Sequence, residues 1–126
     1  MGSIGGVKGG WITEIKYFYT SQSCRPVSAE AQALWHYLMY RANAAFWQMP
    51  LVLQAAEIEG AVKLSESSFK RARKVLEENG YLIVEAQGGR RQSHYYLLSC
   101  VSPGKVLQPA KILKDEPDRN ALVNKV

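Results

Sequence analysis

Residues 66–79 carry hydroxyl and basic side chains at the three- and four-residue spacing of one helix face. The set comprises Ser67, Ser68, Lys70, Arg71 and Lys74. Serine hydroxyls and a helix N-terminus suit phosphate oxygens, and the guanidinium of Arg71 can reach the edge of a guanine. The pattern predicts contact with duplex DNA. Considered by itself, the helix is equally well explained as an amphipathic surface helix whose basic face is only solvated. Arg73 lies beside the apolar face, where an ion pair with Glu77 and a DNA contact are equally expected.

A second group of basic side chains lies in a glycine-containing turn. Arg90 and Arg91 follow two glycines in the turn 87–92, which joins strand-forming runs at 81–84 and 94–98. Two such runs joined by a glycine turn predict a β-hairpin with both arginines at its tip. Arginine at this place is attracted to the DNA backbone or to the minor groove, although simple exposure to solvent is the alternative.

The residues that usually catalyse reactions or bind metals are sparse and badly spaced for either purpose. Cys24 and Cys100 lie far apart without metal-ligand spacing, and no further ligand lies at a suitable distance along the chain from His36. Neither paired carboxylates nor a nucleophile–base pair stand out, and Gly88-Gly89 is better explained by a tight turn than by a phosphate-binding loop. We therefore predict that the chain is not an enzyme, uses no metal or cofactor, and keeps two free thiols in the cytoplasm.

The net charge of +5 is concentrated in part of the chain. Residues 63–91 contain seven basic and four acidic side chains, the preceding residues are balanced, and those after 102 contain five basic and three acidic ones. A basic surface is the first requirement for binding a phosphate backbone. Because no apolar run reaches the roughly 18 residues of a membrane-spanning helix, no membrane partner is expected.

Apolar side chains at helical spacing predict three helices ahead of residue 64. The first helix places on one side Trp11, Ile12, Ile15 and Phe18. The second begins at the N-cap Ser28 and ends before Pro50. Its apolar stripe comprises Ala31, Leu34, Trp35, Leu38, Ala42, Ala45 and Phe46. A very short strand at 51–53 and a short helix at 54–62 follow.

The helix that carries the basic face has well-defined ends. Ser65 is predicted to cap its free amides, while Leu64 packs on Phe69 as a hydrophobic staple. Asn79-Gly80 ends the helix, because glycine tolerates the left-handed turn. The inward side chains are Phe69, Ala72, Val75 and Leu76.

Together these elements predict an α+β fold, a winged helix-turn-helix in which a three-helix core carries a β-hairpin wing, with an additional N-terminal helix. Residues 1–9 are assigned to a flexible glycine-rich leader or expression remnant. Residues 10–102 are assigned to the winged-helix DNA-binding domain, and residues 103–126 to a mobile tail or linker.

The additional N-terminal helix needs a burial partner, because residues 28–99 already supply a complete winged helix. Trp11, Ile15 and Phe18 would be costly to leave in water. We predict that they form a self-association interface in a homodimer or higher oligomer. Packing against the chain's own second helix is the alternative.

A family resemblance covers residues 10–99. The run 58–82, with Leu64-Ser65 opening the basic helix and Asn79-Gly80 leading into the wing, resembles the winged-helix pattern of bacterial regulators and replication proteins. The upstream segment 33–39 and Phe46-Trp47 narrow the match. They resemble the N-terminal domain of DnaD-like replication initiation proteins and phage replisome organisers.

The resemblance implies a role in replication initiation, self-association through the N-terminal segment and contacts with other replication proteins. Two positions depart from the pattern. Lys63 stands where a glycine is usual, so a residue with a side chain is expected to adopt a strained backbone. Glu66 stands where a basic residue is frequent; it suits the helix dipole but repels phosphate. A transcriptional regulator on the same fold, and an interaction module that has lost DNA binding, remain the alternatives.

Overall fold

The computed structural model describes residues 10–87 and 91–109. The expectations for residues 1–9, for the two glycines and Arg90 of the hairpin turn, and for residues 110–126 lie outside this part of the chain. Within it, the fold is α+β, with four α-helices and one three-stranded antiparallel sheet. The helices are α1 (Trp11–Thr20), α2 (Ala29–Ala44), α3 (Ala55–Val62) and α4 (Glu66–Glu78). The strands are β1 (Leu51–Gln54), β2 (Leu82–Ala86) and β3 (Gln92–Leu97).

Serine caps set the beginnings of the two longest helices, as predicted. The Ser28 hydroxyl accepts a hydrogen bond from the Ala31 amide, and the Ser65 hydroxyl accepts one from the Ser68 amide, both at 3.2 Å. Each cap satisfies an amide that has no partner inside its own helix. Trp35 of α2 is only 1% exposed, which confirms that the apolar stripe of this helix faces the core.

The C-terminal end of α2 differs from the sequence prediction. The helix ends at Ala44, well before Pro50, and Phe46 and Trp47 both adopt positive φ angles. This turn buries Trp47 completely and leaves Phe46 69% exposed, so the assignment of Phe46 to the buried stripe is wrong. The apolar residues continue past the end of the helix in the sequence, but the one that reaches the core is Trp47, which enters it from the turn.

The sheet has the order β1-β3-β2, so the predicted hairpin is β2–β3 and the short strand β1 joins its far side. Tyr95 on the central strand lies opposite Leu51 of β1 and Val84 of β2. Alternate side chains of β3 are buried, as the two-residue period of a half-covered strand requires: Ser93, Tyr95 and Leu97.

Helix α1 packs on the core of its own chain. The ring of Phe18 stacks on Trp35 with 3.9 Å between centroids, and Tyr81 meets Phe18 edge-on at 5.0 Å. The helix also buries a carboxylate. Glu14 accepts hydrogen bonds from the Ser99 hydroxyl and the Cys100 amide, both at 2.6 Å. Two short hydrogen bonds therefore join α1 to the chain that follows β3.

The chain continues to pack beyond Pro103, where a mobile tail or linker was predicted to begin. The Leu107 amide donates to the carbonyl of Leu97 at 2.8 Å, Leu98 pairs with Val106, and the Leu107 side chain is buried. These residues belong to the folded unit. Among the described helices, none is both long and apolar enough to cross a membrane.

Candidate nucleic-acid interface

The basic helix α4 packs on the core through one face, and its opposite face is exposed to solvent. Phe69, Ala72 and Leu76 are buried in the core that α4 shares with α2. Helix α3 precedes it across a turn of three residues, in which Lys63 has the left-handed angles φ 61° and ψ 44°. The expectation that a residue with a side chain occupies this strained position is therefore confirmed. The tight turn fixes the direction in which α4 leaves α3.

The exposed side of α4 brings together the residues expected to contact DNA. Ser67, Lys70, Arg71 and Lys74 are exposed, and Ser68 is half-buried. Arg71 donates a hydrogen bond to the Ser68 hydroxyl at 3.1 Å, so its guanidinium leans toward the N-terminal end of the helix. This end offers hydroxyl groups, a guanidinium and the positive end of the helix dipole on one surface.

Two lysines of this face pair with carboxylates on the same helix. Lys70 Nζ lies 3.1 Å from Glu66 Oε2, and Lys74 Nζ lies 3.9 Å from Glu78 Oε2. The hydrogen bond from Lys70, together with the charge of Arg91, lowers the pKa of Glu66. Solvent screens exposed pairs of this kind, so they contribute little to stability and both lysines can change partner readily.

Arg91, directly before β3 at the turn end of the hairpin, lies where three elements meet. Its guanidinium binds the carboxylate of Glu59 on α3 and lies 3.8 Å from Glu66 Oε2 on α4. Its carbonyl accepts a hydrogen bond from the Ala55 amide at 2.9 Å, and its own φ is 54°. The role of Glu59 was not predicted from the sequence. This ion pair joins residues that are 32 positions apart, so no local sequence pattern predicts it.

Among the ion pairs of residues 10–87 and 91–109, Arg73 does not form the one with Glu77 that was expected as the alternative to a DNA contact. It donates a hydrogen bond to the Tyr95 hydroxyl at 3.2 Å, and its guanidinium lies 5.1 Å from the centroid of the Phe69 ring. Burial raises the pKa of Tyr95. Arg73 therefore stabilises the packing of α4 on the sheet.

The C-terminal end of α4 is held by a residue that the sequence analysis left without a function. Arg25 donates to the carbonyls of Asn79 and Gly80 at 2.9 and 3.3 Å, which are favourable positions for a cation at a helix C-terminus. Its guanidinium also lies 4.3 Å from the centroid of the Tyr81 ring. The Tyr81 hydroxyl donates to the Arg25 carbonyl at 2.8 Å, which closes the contact from both sides.

The three residues predicted to mediate self-association are not brought together on one surface. Phe18 is buried in the chain's own core, Ile15 is half-buried against it, and Trp11 is 43% exposed. Other large side chains of α1 stay exposed beside Trp11: Ile12, Tyr17 and Tyr19. The surface that α1 leaves for a partner therefore differs from the predicted stripe.

The cysteines and the potential metal ligands form no metal site among the described residues. Cys24 is exposed and Cys100 is buried, and both are free thiols. Burial and the nearby Glu14 raise the pKa of the Cys100 thiol to about 12. Among residues 10–87 and 91–109, no three His, Cys, Asp or Glu side chains lie close enough together to hold a metal ion.

Comparison with protein-family models, with curated proteins and with solved structures finds no match to this chain. Its function is therefore inferred from the residues of the interface and from the sequence resemblance.

Proposed function

We propose that this chain is a winged-helix domain that binds duplex DNA, with α4 in the major groove and the β2–β3 hairpin as the wing along the backbone. One observation carries the proposal. α4 is anchored through Phe69, Ala72 and Leu76, while its opposite face presents Lys70, Arg71 and Lys74 to solvent. A helix in this position can enter the groove without losing any core contact.

The dimensions and chemistry of α4 suit this ligand. A helix with its side chains is about 10–12 Å wide, and the major groove of B-DNA is about 12 Å wide. The lysines are suited to phosphate oxygens on either side of the groove. Arg71, near the N-terminal end, is suited to a guanine edge, where one bidentate contact discriminates by about 1–3 kcal/mol.

The wider role that we propose is replication initiation, in a homodimer or higher oligomer that also contacts other replication proteins. This step is supported by the sequence resemblance to DnaD-like proteins and replisome organisers. A transcriptional regulator on the same fold would discriminate strongly between sequences, whereas an organiser would bind more by shape and charge. Selection of binding sites from a random pool separates the two roles.

An interaction module without DNA binding is the second candidate. One observation favours it: carboxylates already partner Lys70, Lys74 and Arg91, which reduces the positive potential of the interface. This module would show no salt-dependent affinity for duplex DNA.

DNA binding is tested by comparing Lys70→Ala/Lys74→Ala with Lys16→Ala/Lys105→Ala. Both pairs remove two exposed lysines, but only the first pair lies on α4. We expect the α4 variant to bind a random-sequence duplex more weakly. Its plot of log affinity against log salt should be shallower by about 0.9 for each lost phosphate contact. The control should keep the parent's slope. Equal slopes for the parent and the α4 variant would contradict the proposal.

A further inference from the structure

We propose that Glu59 and Glu66 compete with DNA phosphates for the guanidinium of Arg91. In the free domain, Arg91 is then closed off by an intramolecular ion pair that DNA must open. This inference rests on the proposed function, because the competing ligand is the phosphate backbone.

The position of Arg91 supports the competition. Its side chain binds Glu59 on α3 and lies 3.8 Å from Glu66 in the first turn of α4, where DNA would approach. Its backbone is also fixed, through the hydrogen bond from the Ala55 amide to the Arg91 carbonyl. The guanidinium is therefore kept at the junction of hairpin and helix, but its donors face carboxylates.

The burial of the pair distinguishes Arg91 from the lysines of α4. The Glu59 side chain is 15% exposed, whereas Glu78, which pairs with Lys74, is 60% exposed. A less exposed pair is screened less by solvent and salt, so it is harder to replace. The hydrogen bond to Glu59 also raises the pKa of Arg91. Among the basic side chains of the interface in the described residues, Arg91 is thus the one whose ion pair is hardest to replace.

The competition has a direct consequence for binding. A phosphate gains the Arg91 contact only by displacing Glu59, and the carboxylate that it displaces then repels it. Contacts that place no phosphate at this junction gain nothing from Arg91. The two carboxylates therefore lower the affinity of every binding geometry that brings a phosphate to Arg91, and they leave the other contacts with DNA largely unchanged.

A double-mutant cycle on the full chain tests this inference, with Glu59→Gln, Arg91→Ala and the combined variant. The probe is a fluorescently labelled random-sequence duplex, titrated at several salt concentrations. Glu59→Gln should bind about two- to fivefold more tightly than the parent, because the guanidinium of Arg91 no longer has to leave a carboxylate before it contacts a phosphate. Its salt dependence should be steeper by about 0.9, because Arg91 becomes free to contact a phosphate.

The coupling between the two positions separates competition from a simple change of net charge. Arg91→Ala should weaken binding more in the Glu59→Gln background than in the parent, whereas long-range charge effects would be additive. Glu30→Gln is the matched control, since Glu30 is exposed in the first turn of α2 and pairs with no cation within residues 10–87 and 91–109. It should leave the salt dependence unchanged.

The outcomes distinguish this inference from the proposed function. If neither the parent nor Glu59→Gln binds the duplex in a salt-dependent way, the DNA-binding proposal fails and the competition fails with it. If the parent binds and the effects of Glu59→Gln and Arg91→Ala are additive, the competition alone is overturned. Thermal unfolding of each variant verifies folding. Glu66→Gln repeats the cycle on an exposed residue if Glu59→Gln unfolds.

Discussion

Helices α1 and α4 differ in the side chains that they bury and in those that they leave exposed. α4 buries Phe69, Ala72 and Leu76 and exposes its charges, as an amphipathic surface helix ordinarily does. α1 buries the carboxylate of Glu14, and Trp11 stays partly in solvent. The two outer surfaces therefore suit different partners. α4 exposes lysine and arginine side chains that can change ion-pair partner, whereas α1 exposes aromatic side chains.

The two helices also differ in how they hold a carboxylate, Glu14 on α1 and Glu66 on α4. Glu14 is enclosed by two fixed donors, so these hydrogen bonds stabilise one arrangement of α1 against the chain after β3. Glu66 is exposed and shared between Lys70 and Arg91, so its partners can be replaced. A buried polar contact specifies the fold, whereas an exposed one leaves room for a ligand.

The largest effect that we expect comes from the stack that attaches α1 to the core. Trp35→Ala removes the partner of the Phe18 ring and should lower the free energy of unfolding by about 3–5 kcal/mol. Chemical denaturation followed by circular dichroism measures the change, and Trp35→Phe is the control that keeps an aromatic ring. A loss below about 1 kcal/mol would mean that α1 is only loosely attached.

A smaller loss is expected at the buried carboxylate. Glu14→Ala leaves the Ser99 hydroxyl and the Cys100 amide without their acceptor, which should cost about 1–3 kcal/mol of unfolding free energy. Glu14→Gln should cost less, because its amide oxygen can still accept one of the two hydrogen bonds. If both variants were as stable as the parent, the contrast between the carboxylates of α1 and α4 would disappear.

The smallest change in stability is expected on the exposed side of α1, where self-association is proposed. Trp11→Ala/Ile12→Ala removes surface side chains and should alter the unfolding free energy by no more than about 0.5 kcal/mol. The same variant should sediment as a monomer at micromolar concentration, where the parent forms dimers or larger oligomers. Tyr40→Ala, an exposed aromatic of α2, is the control. A monomeric parent would remove self-association from the proposal.

Local sequence signals predicted much of this fold. The serine caps, the buried face of α4 and the strained Lys63 each follow from a few neighbouring residues. The early end of α2 was missed, because Phe46 and Trp47 continue an apolar pattern that only the folded turn separates. The roles of Glu14 and Glu59 were also missed, since their partners lie 85 and 32 residues away along the chain. Contacts at such separations depend on the tertiary arrangement and leave no periodic trace.

The unequal burial of the tryptophans gives the protein a built-in optical probe. Trp35 and Trp47 are enclosed, and their indole nitrogens have no hydrogen-bond partner within residues 10–87 and 91–109, whereas Trp11 is partly open to solvent on α1. A soluble quencher added to the native protein should therefore extinguish mainly the red-shifted fluorescence of Trp11. A partner that covers α1 would protect this emission and shift it to the blue, and DNA bound at α4 would leave it unchanged. Fluorescence from an unlabelled sample can thus report which of the two helix surfaces a ligand occupies.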